Sequence, residues 1–505
     1  MVRVPLLACA LVGVASCTTV PDTGTGGSST RSTTSSSGST SASGSTSSVS
    51  SSSTGCNLGD PMNCGTCNHV CAAPYDTCTE GHCGDEVREV VGGGDAVCGV
   101  LWGGKLVCWG ANWLGQLGDG TILGTDTCEL GDGSTYACRL TPVPVVSPAG
   151  GDLVHVIHAS STYYTQCAVT SEGDVYCWGD NNNFGLGHAQ SLDMACPNPG
   201  GAAFCNPTPT KVGLPGGVHA ANVSVGIYHT CILSTAGDVY CWGANDKGEI
   251  GAPLATPKSI TPVKVSLPAS VEQVEVDEDV YSQSCALAGG NVWCWGANDG
   301  GGLGHDPAED SPCGAGAACA YLPRRVETAT GFLANIVQIG VGRGFGCALD
   351  NQGAVWCWGN DVWGILGKGT ANVPRFKADK VTGGALPAKV SQLVTDRGNS
   401  AFAIDANGAV YAWGRNNYAT LGSGKVGGGP GCNGECEWLP IATGLTNVAQ
   451  LSSSANLALA LLLDGSVVAW GDNSFGELQH LPGMGQDVAV SQSWVDPVPR
   501  PVKVP

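Results

Sequence analysis

Basic residues are scarce in this chain: 22 Lys and Arg stand against 42 Asp and Glu in 505 residues, a formal net charge of −20. A surface that acidic repels phosphate backbones, which excludes nucleic acid as a partner. Charged residues of both signs reach only 13%, about half the ~25% of ordinary globular chains. So few long charged side chains leave little material for solvated helices, which sets the helical classes aside. Chemical motifs are missing too: there is no Gly-x-Ser-x-Gly elbow, no His-Glu-x-x-His and no phosphate-binding loop. Abundant instead are Gly, with 77 residues, and Cys, with 26. That Gly share, about twice the usual ~7%, reads as turns between short strands. The cysteines read as an oxidising compartment.

The N-terminus is an address. Arg3 and the apolar run Val4 to Val14 form a secretory signal over residues 1–16. The run is too short to span a bilayer core of ~30 Å. Its end, Val14-Ala15-Ser16-Cys17, resembles a bacterial lipobox, which implies a lipid on Cys17. Thr18 follows, not the Asp of inner-membrane retention, so the resemblance implies an outer-membrane anchor exposed at the cell surface. Residues 17–55 continue as a Ser/Thr/Gly tract that cannot bury apolar surface, a flexible tether. Residues 56–84 then hold Cys56, Cys64, Cys67, Cys71, Cys78 and Cys83. Cys64-x-x-Cys67-x-x-x-Cys71 with His69 and His82 has zinc-like spacing, but after a secretion signal it favours three disulfides. Asp60-Pro61-Met62-Asn63-Cys64-Gly65-Thr66-Cys67 resembles the short cysteine modules akin to stigma-specific-protein repeats.

Residues 85–505 repeat. Trp-Gly recurs at Trp109, Trp178, Trp242, Trp295, Trp358, Trp413 and Trp470, with a mean spacing of about 60 residues. Asn stands three residues past each Trp, Asp361 being the exception, and Leu or Ile eight past it. A hairpin signature precedes each Trp, and a Val-rich strand precedes each hairpin, as in Val223-Ser224-Val225. Upstream again lies a Pro-x-x-Val segment such as Pro262-Val263-Lys264-Val265. Four strands per repeat, seven times over, predict an all-β chain, a seven-bladed β-propeller with four-stranded blades. The first hairpin has no Pro-x-x-Val strand upstream, and Pro501-Val502-Lys503-Val504 has no hairpin downstream. The C-terminal strand is therefore expected to close the first blade.

Hairpin, Trp-Gly-x-Asn-x-x-Gly-x-Leu-Gly and Pro-x-x-Val together resemble the regulator of chromosome condensation repeat, whose members form seven-bladed propellers. The His of that family's repeat stands here only at His229; Ala96, Thr165, Gln283, Phe345, Ser400 and Leu457 take its place elsewhere. The resemblance also implies the nucleotide-exchange role of the nuclear namesake, which a secreted disulfide protein cannot perform on a cytosolic GTPase. A secreted bacterial member that inhibits β-lactamase shows that such discs can clamp a protein.

The cysteines of the repeats sort into pairs. Cys98/Cys108, Cys167/Cys177, Cys231/Cys241, Cys285/Cys294 and Cys347/Cys357 occupy one place in blades one to five. Both positions change together in blades six and seven, to Phe402/Ala412 and Leu459/Ala469, as opposed cross-strand partners would. Four local pairs, Cys128/Cys138, Cys196/Cys205, Cys313/Cys319 and Cys432/Cys436, staple insertions in blades one, two, four and six. Blades three, five and seven lack such insertions. No free thiol is left for catalysis.

The stapled insertions are the functional lead. They occupy equivalent places and so emerge on one face, and each carries an aromatic beside its second Cys: Tyr136, Phe204, Tyr321 and Trp438. Asp126, Glu129, Asp132, Asp306, Glu309, Asp310 and Glu435 add negative charge that suits a basic or amine-bearing partner. The seven repeat Trp are read as inter-blade core. Asp277-Glu278-Asp279 lacks a calcium-loop spacing and is read as a solvated edge. His155 and His158 have no third metal ligand, so no metal and no cofactor is expected. The expected molecule is a monomeric, non-enzymatic binding protein that recognises a protein or glycan and touches the membrane only through its lipid. The alternative is a hydrolase or lyase with a site at the channel mouth. Cys17→Ser is expected to release the protein from the membrane fraction and abolish labelled fatty-acid incorporation; a wild-type chain equally free of acyl groups by mass spectrometry would refute the anchor.

Overall fold

Short apolar runs bounded by Gly, Asn and Asp turns become antiparallel strands in the computed structural model. It describes residues 78–504 apart from 80–81, 197–202, 254–256, 278–281, 314–316, 397, 430–431 and 455. Cys17, the 17–55 tract, Cys56 to Cys71 and Glu278-Asp279 lie outside the described residues. Seven sheets of four to six strands follow one another along the chain. Blade three shows the plan: Ala220–Val225, His229–Ser234, Val239–Ala244 and Lys258–Lys264 pair in that order. The seven first strands are Val87–Gly92, Val156–Ser161, Ala220–Val225, Val271–Val276, Ile336–Gly342, Gln392–Thr395 and Val448–Ser453. Each touches the next in a closed cycle, and together they line a central cavity of about 210 Å³. The fold is an all-β, seven-bladed propeller.

Ring closure departs from the expected scheme. Ser493–Val502 pairs with Val467–Asp472 and so completes blade seven, not blade one. The reason is the phase of the repeat. Each Pro-x-x-Val strand folds back onto the Trp-Gly strand before it, as Val143 does opposite Cys108 and Val263 opposite Cys241. Blade one thus owns its fourth strand, Thr135–Pro144, and needs none from the C-terminus. Side chains close the ring instead. Val87, Val90, Val97 and Trp109 of blade one share a buried cluster with Leu457, Leu459, Leu461 and Val467 of blade seven, with Val504 packed against it.

The repeat Trp supply the specific part of that packing. All seven are essentially inaccessible to solvent. Each indole Nε1 donates to a carbonyl seven residues past the Trp of the preceding blade. Trp178 reaches Gln116 O at 2.8 Å, Trp242 reaches Gly185 O at 2.8 Å and Trp295 reaches Glu249 O at 2.8 Å. Trp358 reaches Gly302 O at 2.8 Å, Trp413 reaches Ile365 O at 2.7 Å and Trp470 reaches Thr420 O at 2.7 Å. Trp109 makes the same bond across the seam, to Glu477 O at 2.7 Å.

The motif Asn shapes the turn that offers this carbonyl. Its Oδ1 accepts from the N–H five residues on, as Asn112 does from Leu117 at 3.1 Å and Asn473 from Leu478 at 2.9 Å. Its Nδ2 donates to carbonyls of the following loop, as Asn181 does to His188 O at 3.2 Å. The residue six past each Trp is left-handed, for example Gly248 at φ +85°. Asp361 keeps the first bond, to Leu366 N at 3.1 Å, but has no N–H to give, and burial pushes its pKa to about 6. Position seven repeats a second device. Gln116, Glu249 and Glu477 each accept from a backbone N–H two residues earlier, at 2.8, 2.8 and 2.9 Å. Burial lifts Glu249 to about 7.

Disulfides fill the blade interiors. Cys98–Cys108, Cys167–Cys177, Cys231–Cys241, Cys285–Cys294 and Cys347–Cys357 join directly opposed residues, each with Cα atoms 4.1 Å apart. Phe402 opposite Ala412 and Leu459 opposite Ala469 hold the same register in blades six and seven, all four fully buried. Each short closed loop stabilises by about 2–3 kcal/mol.

Two predictions follow from this packing. Trp109→Phe removes the seam bond and strands a buried carbonyl, so denaturant unfolding should show a loss of about 1–3 kcal/mol, matching Trp413→Phe inside the ring. A negligible loss at Trp109 alone would mean that the seam is held by other contacts. Glu249→Gln installs the amide that blade one carries as Gln116. The raised pKa means that the folded chain holds its proton longer than the unfolded chain, so wild-type stability should fall as pH rises from about 4.5 to 7. The variant should lose the Glu249 share of that decline, leaving a shallower one from the other raised acids, and gain about 1–3 kcal/mol at pH 8; identical pH profiles would refute the assignment.

Candidate functional site

Strand order gives the disc two unlike faces. The third strand of every blade ends beside the loop that joins its own first two strands, as Ala111 N donates to Asp95 O and Asp180 N to Tyr164 O, both at 2.8 Å. The motif turns and the starts of the fourth strands lie at the same end, Ala111 facing Cys138 and Ala297 facing Cys319. The inner loops around the cavity, the motif turns and the insertions therefore share one face, here called upper. The lower face carries tight hairpins such as Leu101 to Lys105 and Thr170 to Asp174. Three of its cations are paired: Lys105 with Asp152 at 2.8 Å, Lys211 with Asp174 at 2.5 Å and Lys264 with Asp238 at 2.8 Å.

The staples Cys128–Cys138, Cys196–Cys205, Cys313–Cys319 and Cys432–Cys436 all lie in upper-face insertions. Three insertions add a strand to the edge of the fourth: Asp126–Glu129, Met194–Cys196 and Ser311–Pro312. Blade seven corrects the expected pattern, because it too carries an insertion, unstapled, with strand Val488–Val490. It abuts blade one, where Gly131 N donates to Gln492 O at 3.0 Å.

The four expected aromatics do not make one exposed patch. Tyr136 is half-buried in a cluster with Trp113 and Phe475 at ring separations of 5.3 and 5.7 Å, bridging blades one and seven. Tyr321 and Trp438 lie on motif glycines of the preceding blades. A Cβ added to Gly248 or Gly364 would come within 2.6 Å of either ring. Trp438 Nε1 also meets Cys432 Sγ at 3.0 Å. Phe204 alone is exposed, at 44%. Beside it stand Leu192, 68% exposed, and Met194, and across blade one stand Leu481, Met484 and Val488 of blade seven. Most of the large apolar side chains left in solvent belong to insertions or fourth strands. Sequence reasoning weighted rings beside cysteines; the aliphatic members gave no signal because single exposed Leu or Met residues are common.

The insertions are rigid at their roots. His188 Nε2 meets Asp193 at 2.6 Å, His305 meets Asp310 at 2.9 Å and His480 meets Asp487 at 3.0 Å. The motif Asn donates to each of these same carboxylates. Blade one uses Asp119 with Arg139 at 2.6 Å. The signal was present as a His directly or almost directly after the Leu-Gly turn, in Leu186-Gly187-His188 and Leu303-Gly304-His305. Of the expected rim acids, Asp310 is buried in its dyad, and Glu309 and Asp310 both meet Arg324, at 2.6 and 3.0 Å. Asp132 bonds its own turn at Ser134, while Glu129 and Glu435 are exposed. Buried acids crowd the same layer: burial lifts Asp180 to about 6 and raises Asp472 and Glu477.

The cavity is the other candidate. His158 faces into it, whereas His155 sits at φ +61° on the link entering blade two. No group of three or more His, Cys, Asp or Glu with metal-binding geometry occurs among the described residues. His229, buried and held near pKa 3 by desolvation, bonds Ser284 Oγ of the next blade at 2.7 Å. Gln283, at the equivalent place in blade four, bonds Gly342 O and Phe345 O of blade five.

Comparison with known proteins agrees with this geometry. The regulator of chromosome condensation (RCC1) repeat matches residues 156–185, 220–249 and 448–477 in one form and 172–233 and 289–349 in another. The E3 ubiquitin-protein ligase HERC2 of Homo sapiens is 27% identical over 74% of this chain, which spans only 7% of that protein. The ultraviolet-B receptor UVR8 of Arabidopsis thaliana is 27% identical over 61% of the chain and 63% of its own length. The chain thus spans less than two thirds of these curated relatives. Among solved structures, human WBSCR16 superposes with a TM-score of 0.60 at 19% identity, covering 79% of this chain and 95% of that one. Yeast RCC1 (Prp20) bound to Kap60 gives 0.59 at 18% identity, covering 86% and 90%. The chain is a seven-bladed β-propeller, and parts of it match the regulator of chromosome condensation repeat.

Proposed function

We propose that the chain is a non-enzymatic binding protein whose upper face docks a protein with a basic, partly apolar surface. The observation that carries this reading is the asymmetry of the disc. Most exposed large apolar side chains gather on the insertions and fourth strands, several of them stapled or pinned at the root, while the lower face carries short hairpins and few such side chains. Pre-set loops lose little freedom on binding, which favours affinity. Negative potential around apolar anchors selects a basic partner and speeds encounter. Residues 82–86 reach blade one on its lower side, where His82 stacks on Trp102 at 4.4 Å. Propellers of this repeat are known in complex with protein, as in yeast RCC1 bound to Kap60. On this reading a lipid on Cys17 holds a monomeric disc at the outer membrane through residues 17–55, and the partner is met at the cell surface.

The test uses the mature full-length chain and three variants. A protein retained from native envelope extract should be lost by the Leu192→Ser, Met194→Ser, Phe204→Ser triple variant. It should be kept by Leu463→Ser, which removes a 60% exposed apolar residue of a lower-face hairpin. Retention should also fall steeply with salt. Loss with Leu463→Ser and retention by the triple variant would place the site on the lower face. Capture of glycan alone would replace the protein partner.

A further inference from the structure

Equivalent positions of the seven first strands carry Glu89, His158, Asn222, Gln273, Gln338, Gln392 and Gln450: the third residue of six strands and the first of the shorter Gln392–Thr395, with all but Gln392 lining the cavity. Where this residue is Gln, its amide clasps the backbone of the next blade. Gln273 donates to Ile339 O at 2.8 Å and accepts from Ile339 N at 2.9 Å. Gln338 treats Leu393 in the same way, at 2.7 and 2.9 Å. Gln392 donates to Ala449 O at 3.1 Å, and Gln450 accepts from Val90 N at 3.0 Å across the seam. A neutral amide gives and takes at any physiological pH.

Blades one and two break the pattern with two titratable groups in contact. His158 Nδ1 lies 2.8 Å from Glu89 Oε1 of blade one, and its Nε2 lies 3.1 Å from Val223 O of blade three. A carboxylate and a carbonyl can only accept, and a neutral imidazole has a single N–H, so both contacts hold only when the ring carries two protons. The titratable residues lining the cavity are Glu89, His158 and Glu275. Glu275, on blade four, accepts from Gln273 Nε2 at 2.9 Å and Ser224 Oγ at 3.4 Å, and adds a second negative charge. Arg88, beside Glu89, turns to Ile157 O. Burial disfavours the imidazolium, but Glu89, then Val223 O and Glu275, outweigh it and raise the His158 pKa.

We propose that His158 is a proton-operated clasp: doubly protonated it ties blades one, two and three together, and alkalinisation releases that sector while the amide-clasped blades stay joined. The sign is fixed by the raised pKa. The clasp contributes fully below pH ~6.5 and is lost as pH climbs through the higher folded-state value. The inference does not depend on which face binds a partner.

Hydrogen exchange on the intact chain reads the release through opening of the Ala220–Val225 strand whose Val223 carbonyl His158 holds. Peptides covering residues 222–225 report the His158 clasp, and those covering 339–341 and 393–395 report the Gln273 and Gln338 clasps as internal references. After correction for intrinsic rates, protection of 222–225 relative to the references should fall by about tenfold from pH 6 to pH 9. The fall should vanish in His158→Gln, which installs the neutral clasp. The His158 ring signal in a wild-type NMR titration should have its midpoint above 6.5. A midpoint at or below 6.5, or a 222–225 segment that tracks the references at every pH, would overturn the clasp even if the variant failed to fold.

Discussion

A tryptophan N–H aimed at a carbonyl of the neighbouring blade is the contact on which this ring depends. A four-stranded sheet has two faces to cover and can cover them only with other sheets. Bulk apolar packing would allow neighbours to slide; a buried indole donor with one acceptor fixes the rotation of each blade on the last. The motif Asn, the left-handed residue before the acceptor and the Leu or Ile after it are all parts of the device that presents this carbonyl. The seventh bond, Trp109 to Glu477, differs from the others only in sequence separation. The ring consequently closes without a shared strand.

Much of this was legible in the chain. Seven Trp-Gly dipeptides in phase gave the blade count, and the joint loss of both cysteines in blades six and seven pointed to opposed positions. The sequence leaves the closure ambiguous because a repeat has no marked start. Cutting it before Pro-x-x-Val leaves an apparent gap at Trp109 and an orphan strand at Val504, while cutting it after leaves neither. Hydrogen-bond register, which the sequence does not carry, decides between the cuts. The candidate surface was less legible. Tyr321 and Trp438 are large and beside cysteines, yet both are spent on covering a glycine of the preceding blade. Leu192 and Met484 stand exposed with nothing in their flanking residues to mark them.

The two faces also divide the labour of variation. Lower-face hairpins are held to a few residues by the registers on both sides, so change there is costly. On the upper face the segment between the motif turn and the fourth strand has only its two ends fixed, by the Asn bond and by pairing with the third strand. Length added between those points costs little loop entropy. His188, His305 and His480 fix the first part of such a segment, so that even a long one leaves the disc in a set direction.

The order of the cysteines along the repeats has its own consequence. From Cys98 to Cys436 every half-cystine is bonded to the next one in sequence, with separations of 4 to 10 residues and no nested or crossed link among the described bonds. Oxidation in the order of emergence from a ribosome or a translocation pore therefore produces the native set directly. Each bond can form within its own nascent hairpin or insertion before the following blade exists. For residues 98–436 the native connectivity is the one that strictly sequential oxidation yields.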